Sequence, residues 1–262
     1  MQRMRVIANC AVGYNNIDIQ AATKRGIVVT NTPGVLTDAT ADLAWTLILA
    51  LARRVPEADR FLRAGKYKEW GLLFMLGTPV YGQTLGLVGA GRIGTAVALR
   101  AKGFNMKIIY CDAFKNKRIE EDAGAKRLSL AVLLRRADIV SIHVPLDKST
   151  FHLIGRRELS LMKPSALLIN TARGEIVDEK ALITALRTRQ IAGAGLDVYE
   201  HEPKVPQVLK SLTNVVLLPH IGSATRETRT KMAVMAAKNL IEALKGRTPP
   251  NLVNPEVLRF LR

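Results

Sequence analysis

Residues 84–112, TLGLVGAGRIGTAVALRAKGFNMKIIYCD, constrain this chain more than any other stretch. The apolar run over 85–88 reads as a buried strand. Gly89, Ala90, Gly91, Arg92, Ile93 and Gly94 follow at once, and apolar residues at helical spacing occupy 95–102. A second strand is expected over 107–111, with Asp112 at its end. Each glycine has its own task. Gly89 makes the tight turn, Gly91 lets a pyrophosphate touch the backbone, and Gly94 lets helix and strand pack closely. The helix N-terminus offers free N–H groups and a positive dipole end to the phosphates. Asp112 lies near the distance at which a carboxylate accepts from the adenosine ribose hydroxyls. A lone glycine pattern is often only a turn. Strand, glycines, helix, strand and acid in order predict a dinucleotide site.

The 262 residues carry 39 Lys and Arg against 22 Asp and Glu, a formal charge of +17. That charge would suit nucleic acid, yet the basic residues are scattered, without a dense run or interleaved aromatic platforms. No nucleic-acid partner is expected, and the basic surface should attract anionic cofactors and small acids instead. The longest apolar run, near 43–52, is interrupted by Trp45 and Thr46 and is too short to span a bilayer, so no membrane partner is expected either. The opening MQRMR leads straight into a strand without a signal-peptide core. Cys10 and Cys111 form no CxxC pair and read as two buried free thiols, which together with the missing leader points to the cytoplasm. No His, Cys or Asp cluster has ligand spacing, so no metal is expected.

Further strands are expected over 6–10, 27–30, 139–144, 166–170, 192–198 and 215–218. Helices are expected over 16–25, 40–53, 128–136, 156–162, 178–187 and 225–244. The helix over 40–53 is apolar nearly all round and should be buried between layers. The loop 31–34 marks a domain boundary, giving a cofactor domain over 33–222 and a second unit from 1–32 and 223–262. Alternation of strand and helix from 84 to 218 implies the α/β class, with a doubly wound parallel sheet. Ligands bind such sheets beyond the carboxyl ends of the strands. The informative residues therefore follow strands: Asp112, His143 to Pro145, Thr171 to Arg173, Asp197 and His220 to Gly222. Glu202, in the loop after the strand that holds Asp197, can face the same crevice.

These residues carry a family resemblance. AVGYNNIDIQAATKRGIVVTNTPGVLTDATAD, LGLVGAGRIG, LLINTARGEIVDEKAL, AGAGLDVYEHEP and VVLLPHIGSAT run in order over nearly the whole chain. The sequence resembles the D-isomer-specific 2-hydroxyacid dehydrogenases, on the branch of glyoxylate and hydroxypyruvate reductases. The resemblance implies a Rossmann-type cofactor domain and a flavodoxin-like substrate domain built from both chain ends. By that resemblance the second domain is expected to be incomplete here, through a truncated start or a divergent short form, because members begin with further strands and helices before the stretch that starts at Arg5. One wall of the substrate pocket would then be missing, and apolar surface over 6–30 would be left uncovered.

The resemblance also implies roles for residues. NADH supplies a hydride for a 2-oxoacid carbonyl. His220 is the acid that protonates the oxygen, Glu202 bonds its imidazole, and Arg173 forks onto the substrate carboxylate. Ala90 to Ile93 hold the pyrophosphate and Asp112 the adenosine ribose. Val144 and Pro145 flank the adenine side. Thr171, with Ala172 beside it, lies under the cofactor. Asp197 faces the nicotinamide amide, and Gly222 approaches the nicotinamide end. Val12 and Gly13 match the loop whose N–H groups take the substrate carboxylate. Family dimers pair through the cofactor domain, and Trp70 matches a tryptophan that reaches the partner's pocket; a packed core aromatic is the alternative. His143, His152 and His201 read as structural or solvent-facing. A phosphoglycerate dehydrogenase and a non-enzymatic NAD(H)-sensing corepressor stand as alternative functions.

Overall fold

In the computed structural model, which describes residues 4–260, the glycine-rich stretch opens a seven-stranded parallel sheet. The chain runs β1 (Val6–Ala8), α1 (Ile19–Lys24), β2 (Val28–Thr30), α2 (Thr37–Ala52), α3 (Val55–Arg63), β3 (Thr84–Val88), α4 (Arg92–Ala101) and β4 (Lys107–Cys111). It continues α5 (Lys117–Ala123), β5 (Lys126–Arg127), α6 (Leu130–Arg136), β6 (Ile139–Ile142), α7 (Arg156–Leu161), β7 (Leu167–Asn170) and α8 (Glu179–Arg187). β8 (Gly193–Leu196), α9 (Gln207–Ser211), β9 (Val215–Leu217) and α10 (Arg226–Leu244) complete it. Two compact units result: Thr40–Gly222, and the residues before Thr40 together with those after Gly222.

The larger unit holds the sheet in the order β5-β4-β3-β6-β7-β8-β9, with every pair parallel. Parallel strands need crossovers, and the intervening helices supply them on both faces. Strands β6, β7 and β8 are buried at every residue, as expected for strands covered on both sides. The order reverses between β3 and β6, which opens a crevice beyond their carboxyl ends. On one face α2 is buried through Trp45, Leu47 and Ile48, and Trp45 stacks on Phe104 with ring centroids 4.7 Å apart. On the other face Leu133 and Leu134 of α6 and Leu182 of α8 pack against the strands.

In the smaller unit β1 and β2 form a two-stranded parallel sheet. β2 is fully buried, whereas β1 is half-buried along its length. Asn254 ties the C-terminal segment to β2: its Oδ1 accepts from Val29 N–H at 2.8 Å and its Nδ2 donates to Ile27 C=O at 2.9 Å.

Several sequence expectations need correction. The glycine-loop helix begins at Arg92, ahead of the apolar spacing that starts at 95, because helix start is set by the glycine turn. α5, β5 and α9 were not expected. α5 buries only Ile119, so its sequence lacks an apolar stripe, and β5 is a two-residue edge strand. Cys10 is exposed, since β1 ends at Ala8; Cys111 is half-buried, and both are free. Trp70 is 74% exposed, which overturns the packed-core alternative.

Candidate active site and cofactor site

The cofactor end is built on the turn between β3 and α4. Gly89 adopts φ +98°, and a Cβ there would lie 2.7 Å from the backbone of His143 and Val144, so only glycine lets β6 end beneath the loop. Gly91 is the N-cap of α4 and brings no capping side chain, which leaves the first N–H groups of the helix available to an anion. Asp112 holds this loop. Its Oδ2 accepts from Ala90 N–H at 2.7 Å, and its Oδ1 accepts from Phe114 N–H at 3.0 Å. Asn116 holds it from the other side, donating to Ala90 C=O at 2.7 Å and to Thr95 Oγ1 at 2.9 Å. Sequence reasoning missed Asn116; an N-cap asparagine just after the acid was the available signal.

Arg127 was missed too. Its guanidinium donates to the carbonyls of Asp112 (2.8 Å) and Ala113 (2.7 Å), and thereby fixes the backbone at the ribose end. Further along the sheet edge, Thr171 is buried and its hydroxyl lacks a hydrogen-bond partner. An orphan hydroxyl, an uncapped helix start and a cradle that excludes a Cβ all fit a bound dinucleotide.

The reactive cluster lies beyond β7, β8 and β9. His220 Nδ1 sits 2.8 Å from Glu202 Oε2, and Glu202 Oε1 accepts from Tyr199 N–H at 3.0 Å. Among the described residues no hydrogen bond engages the second ring nitrogen of His220. Its residue takes a left-handed backbone, φ 55°. Asp197 enforces that bend by gathering three successive N–H groups. Its C=O accepts from His220 at 2.9 Å, its Oδ1 from Ile221 at 2.7 Å and its Oδ2 from Gly222 at 2.7 Å. Burial pushes the Asp197 carboxyl up, and these two N–H bonds pull against that shift.

Arg173 approaches the same cluster. Burial lowers its guanidinium pKa, while the charges of Glu202 and Glu175 raise it. Asn170 shapes the turn that carries it, accepting from Ala172 N–H at 3.0 Å and donating to Arg173 C=O at 2.8 Å. The next residue explains how the two loops meet. A Cβ on Gly174 would lie 1.9 Å from the Tyr199 carbonyl carbon, so Gly174 lets the Arg173 turn press against the chain leading to Glu202.

Of the other histidines, His143 is half-buried beneath the glycine loop, with Nε2 2.9 Å from Ser141 Oγ and its pKa pushed down to about 4 by desolvation. His152 pairs with Glu200 at 3.1 Å, and His201 is exposed. Among the described residues no group of three His, Cys, Asp or Glu is placed to hold a metal, and no helix is long and apolar enough to cross a membrane. Val12 and Gly13 lie in the smaller unit, half-buried, in the loop after β1.

A doubly wound parallel sheet with this glycine loop and acid is the architecture of a dinucleotide-binding domain. Residues 45–222 match the family described as D-isomer specific 2-hydroxyacid dehydrogenase, NAD binding domain. Glyoxylate reductase of Thermococcus litoralis is 58% identical over 260 residues, which cover 98% of this chain and 78% of that protein. The NADPH-dependent glyoxylate/hydroxypyruvate reductase of Sinorhizobium meliloti, solved with NADP and malonate, superposes with a TM-score of 0.89 at 39% identity, covering 97% of this chain and 78% of that one. D-lactate dehydrogenase of Aquifex aeolicus, solved with NAD and lactic acid, gives 0.88 at 31% identity, covering 97% and 81%. The chain belongs to the D-isomer-specific 2-hydroxyacid dehydrogenase family and uses NAD(H).

Proposed function

We propose that this protein reduces a small 2-oxoacid, glyoxylate or hydroxypyruvate, to the corresponding 2-hydroxyacid with NADH. The observation that carries the reading is the 2.8 Å contact between His220 Nδ1 and Glu202, whose charge also acts on the Arg173 guanidinium. NADH, when bound, supplies a hydride for the carbonyl carbon. His220 Nε2 delivers the proton to the carbonyl oxygen, and Glu202 fixes the orientation of the ring. Arg173 forks onto the carboxylate and polarises the keto oxygen. The family resemblance assigns Val12 and Gly13, in the smaller unit, to substrate binding. Gly89 to Gly94 take the pyrophosphate, Asp112 the ribose, Val144 and Pro145 the adenine side, and Thr171, Ala172, Asp197 and Gly222 the nicotinamide end.

We further propose a homodimer formed through the cofactor unit. The segment after α3 exposes Tyr67, Trp70, Leu72, Leu73 and Phe74, a density of apolar side chains that solvent alone does not explain. The two free cysteines and the soluble cofactor support a cytoplasmic setting. Following NADH oxidation with glyoxylate, hydroxypyruvate and phosphohydroxypyruvate tests the function. Turnover of the first two supports it. NADH binding without turnover would mark a sensor, and preference for the phosphorylated acid would mark the other branch.

A further inference from the structure

His152 joins the two loops that carry Arg173 and Glu202, and all three residues lie in the larger unit. Its backbone serves one loop. His152 N–H donates to Glu175 C=O at 2.8 Å and Ile154 N–H to Ile176 C=O at 3.1 Å, so the segment 152–154 runs alongside the turn that carries Arg173. Its ring serves the other. Nε2 lies 3.1 Å from Glu200 Oε1, in the loop that leads to Glu202. The Glu200 carboxylate is engaged through both oxygens, because its Oε2 accepts from Glu179 N–H at the start of α8, at 3.2 Å. Phe151 stacks on the His152 ring with centroids 4.0 Å apart and so restrains its angle. The neighbouring Tyr199 is tied elsewhere: its hydroxyl donates to Leu218 C=O at 2.9 Å, just ahead of His220. The loop 199–202 is therefore clasped to the His220 side by Tyr199 and Glu202, and to the Arg173 turn by Glu200. Gly174 touches the same loop, but a steric contact limits only how near the two can come. The hydrogen bond adds the attraction that stops them drifting apart.

We propose that the His152–Glu200 pair is a positioning device that sets the distance between Arg173 and the Glu202–His220 couple. That role rests on the reading of Arg173 as the fork for the substrate carboxylate. A forked guanidinium is sensitive to placement, since both its bonds must be met at once. Once the clasp is lost, the Arg173 turn drifts from His220, and a 2-oxoacid no longer meets the fork and the acid together.

The test uses the full chain. His152→Asn suits the left-handed backbone at φ 50°, which asparagine tolerates, but its amide is too short to reach Glu200. Glu200→Ala removes the acceptor, and His152→Gln restores a donor at about the reach of Nε2. Two readouts are taken: steady-state kinetics with glyoxylate, and calorimetric binding of oxamate, an unreactive 2-oxoacid mimic, to the NADH-loaded protein. His152→Asn and Glu200→Ala should each lower kcat/KM about tenfold to a hundredfold and weaken oxamate, with the Kd of NADH unchanged. His152→Gln should keep most of both. In an Arg173→Lys background His152→Asn should cost far less, because the fork is already gone and a flexible lysine follows the displaced carboxylate. A merely structural pair would cost the same factor in both backgrounds, and that result overturns the proposal. So does unaltered turnover in both disrupting variants, or a loss in His152→Gln equal to that in His152→Asn. Should Glu200→Ala fail to fold, His152→Asn decides on the same readouts, since the His152 side chain is a third exposed. If the unmodified protein neither reduces glyoxylate nor binds oxamate, the functional reading fails and this role falls with it. If it does both and the losses are the same in the two backgrounds, only the role of the pair falls.

Discussion

The Glu202 carboxylate bridges His220 and the chain that precedes it, with Oε2 2.8 Å from the ring Nδ1 and Oε1 3.0 Å from the Tyr199 nitrogen. Both oxygens are engaged, so the carboxylate is fixed and can fix the ring in turn. Ring orientation is thereby set by a residue eighteen positions away in sequence.

His220→Ala should lower kcat by about 10²–10⁴-fold, the usual worth of a positioned acid, and leave the Kd of NADH unchanged. Glu202→Gln keeps a hydrogen bond to the ring but removes the charge, so it should lose less than His220→Ala. Single-turnover rates with fluorescence titration of NADH check both. Retention of most kcat in His220→Ala would remove it from the mechanism.

Arg173→Lys should damage both kcat and KM for glyoxylate. Lysine keeps the charge but replaces a planar fork by a point contact, so it holds the carboxylate without orienting the keto group. A variant with raised KM and normal kcat would show that Arg173 only binds.

His143 gives the fold a pH dependence. Its pKa falls from an ordinary 6.5 to about 4 on burial, so the unfolded chain binds the proton more readily than the folded one. Stability is therefore intact above about 6.5 and is lost as pH falls toward 4, by up to about 3 kcal/mol. Replacement by glutamine should flatten the fall of Tm between those values. An unchanged slope in His143→Gln would assign the acid sensitivity elsewhere.

The glycine loop, the parallel sheet and the residues at strand ends were legible in the sequence because each has a local cause. Gly89 must turn, β6 and β7 must be buried and mostly apolar, and Asp178 caps α8 by accepting from Ala181 N–H. Long-range ties were not legible. Nothing local to Asn116 says that it reaches back to Ala90, and nothing local to Gly174 says that Tyr199 will lie against it. Such contacts exist only once the strand order is set. Cys10 failed for a simpler reason: β1 stops at Ala8, short of the strand expected over 6–10.

Cofactor choice turns on Asp112. Both its oxygens already accept backbone N–H groups, from Ala90 and Phe114, so the carboxylate is held at the end of β4, where the proposed site places the ribose. A fixed carboxylate can still accept from a free 2′-hydroxyl through its remaining lone pairs, and it repels a 2′-phosphate. The cations that could offset this are largely engaged. Lys115 pairs with Glu120 at 3.1 Å, Arg118 with Asp122 at 3.6 Å, and Arg127 is spent on the Asp112 and Ala113 carbonyls. NADH should therefore be preferred over NADPH by roughly tenfold or more in kcat/KM, equivalent to about 1.4 kcal/mol. Asp112→Ser with Ala113→Arg should narrow or reverse the preference, because the repelling charge goes and a guanidinium arrives beside the ribose. Arg127→Ala should slacken the loop and raise KM for NADH without favouring NADPH. Measuring kcat/KM for both cofactors with glyoxylate decides the matter, and equal values in the unmodified protein would contradict the role given to Asp112.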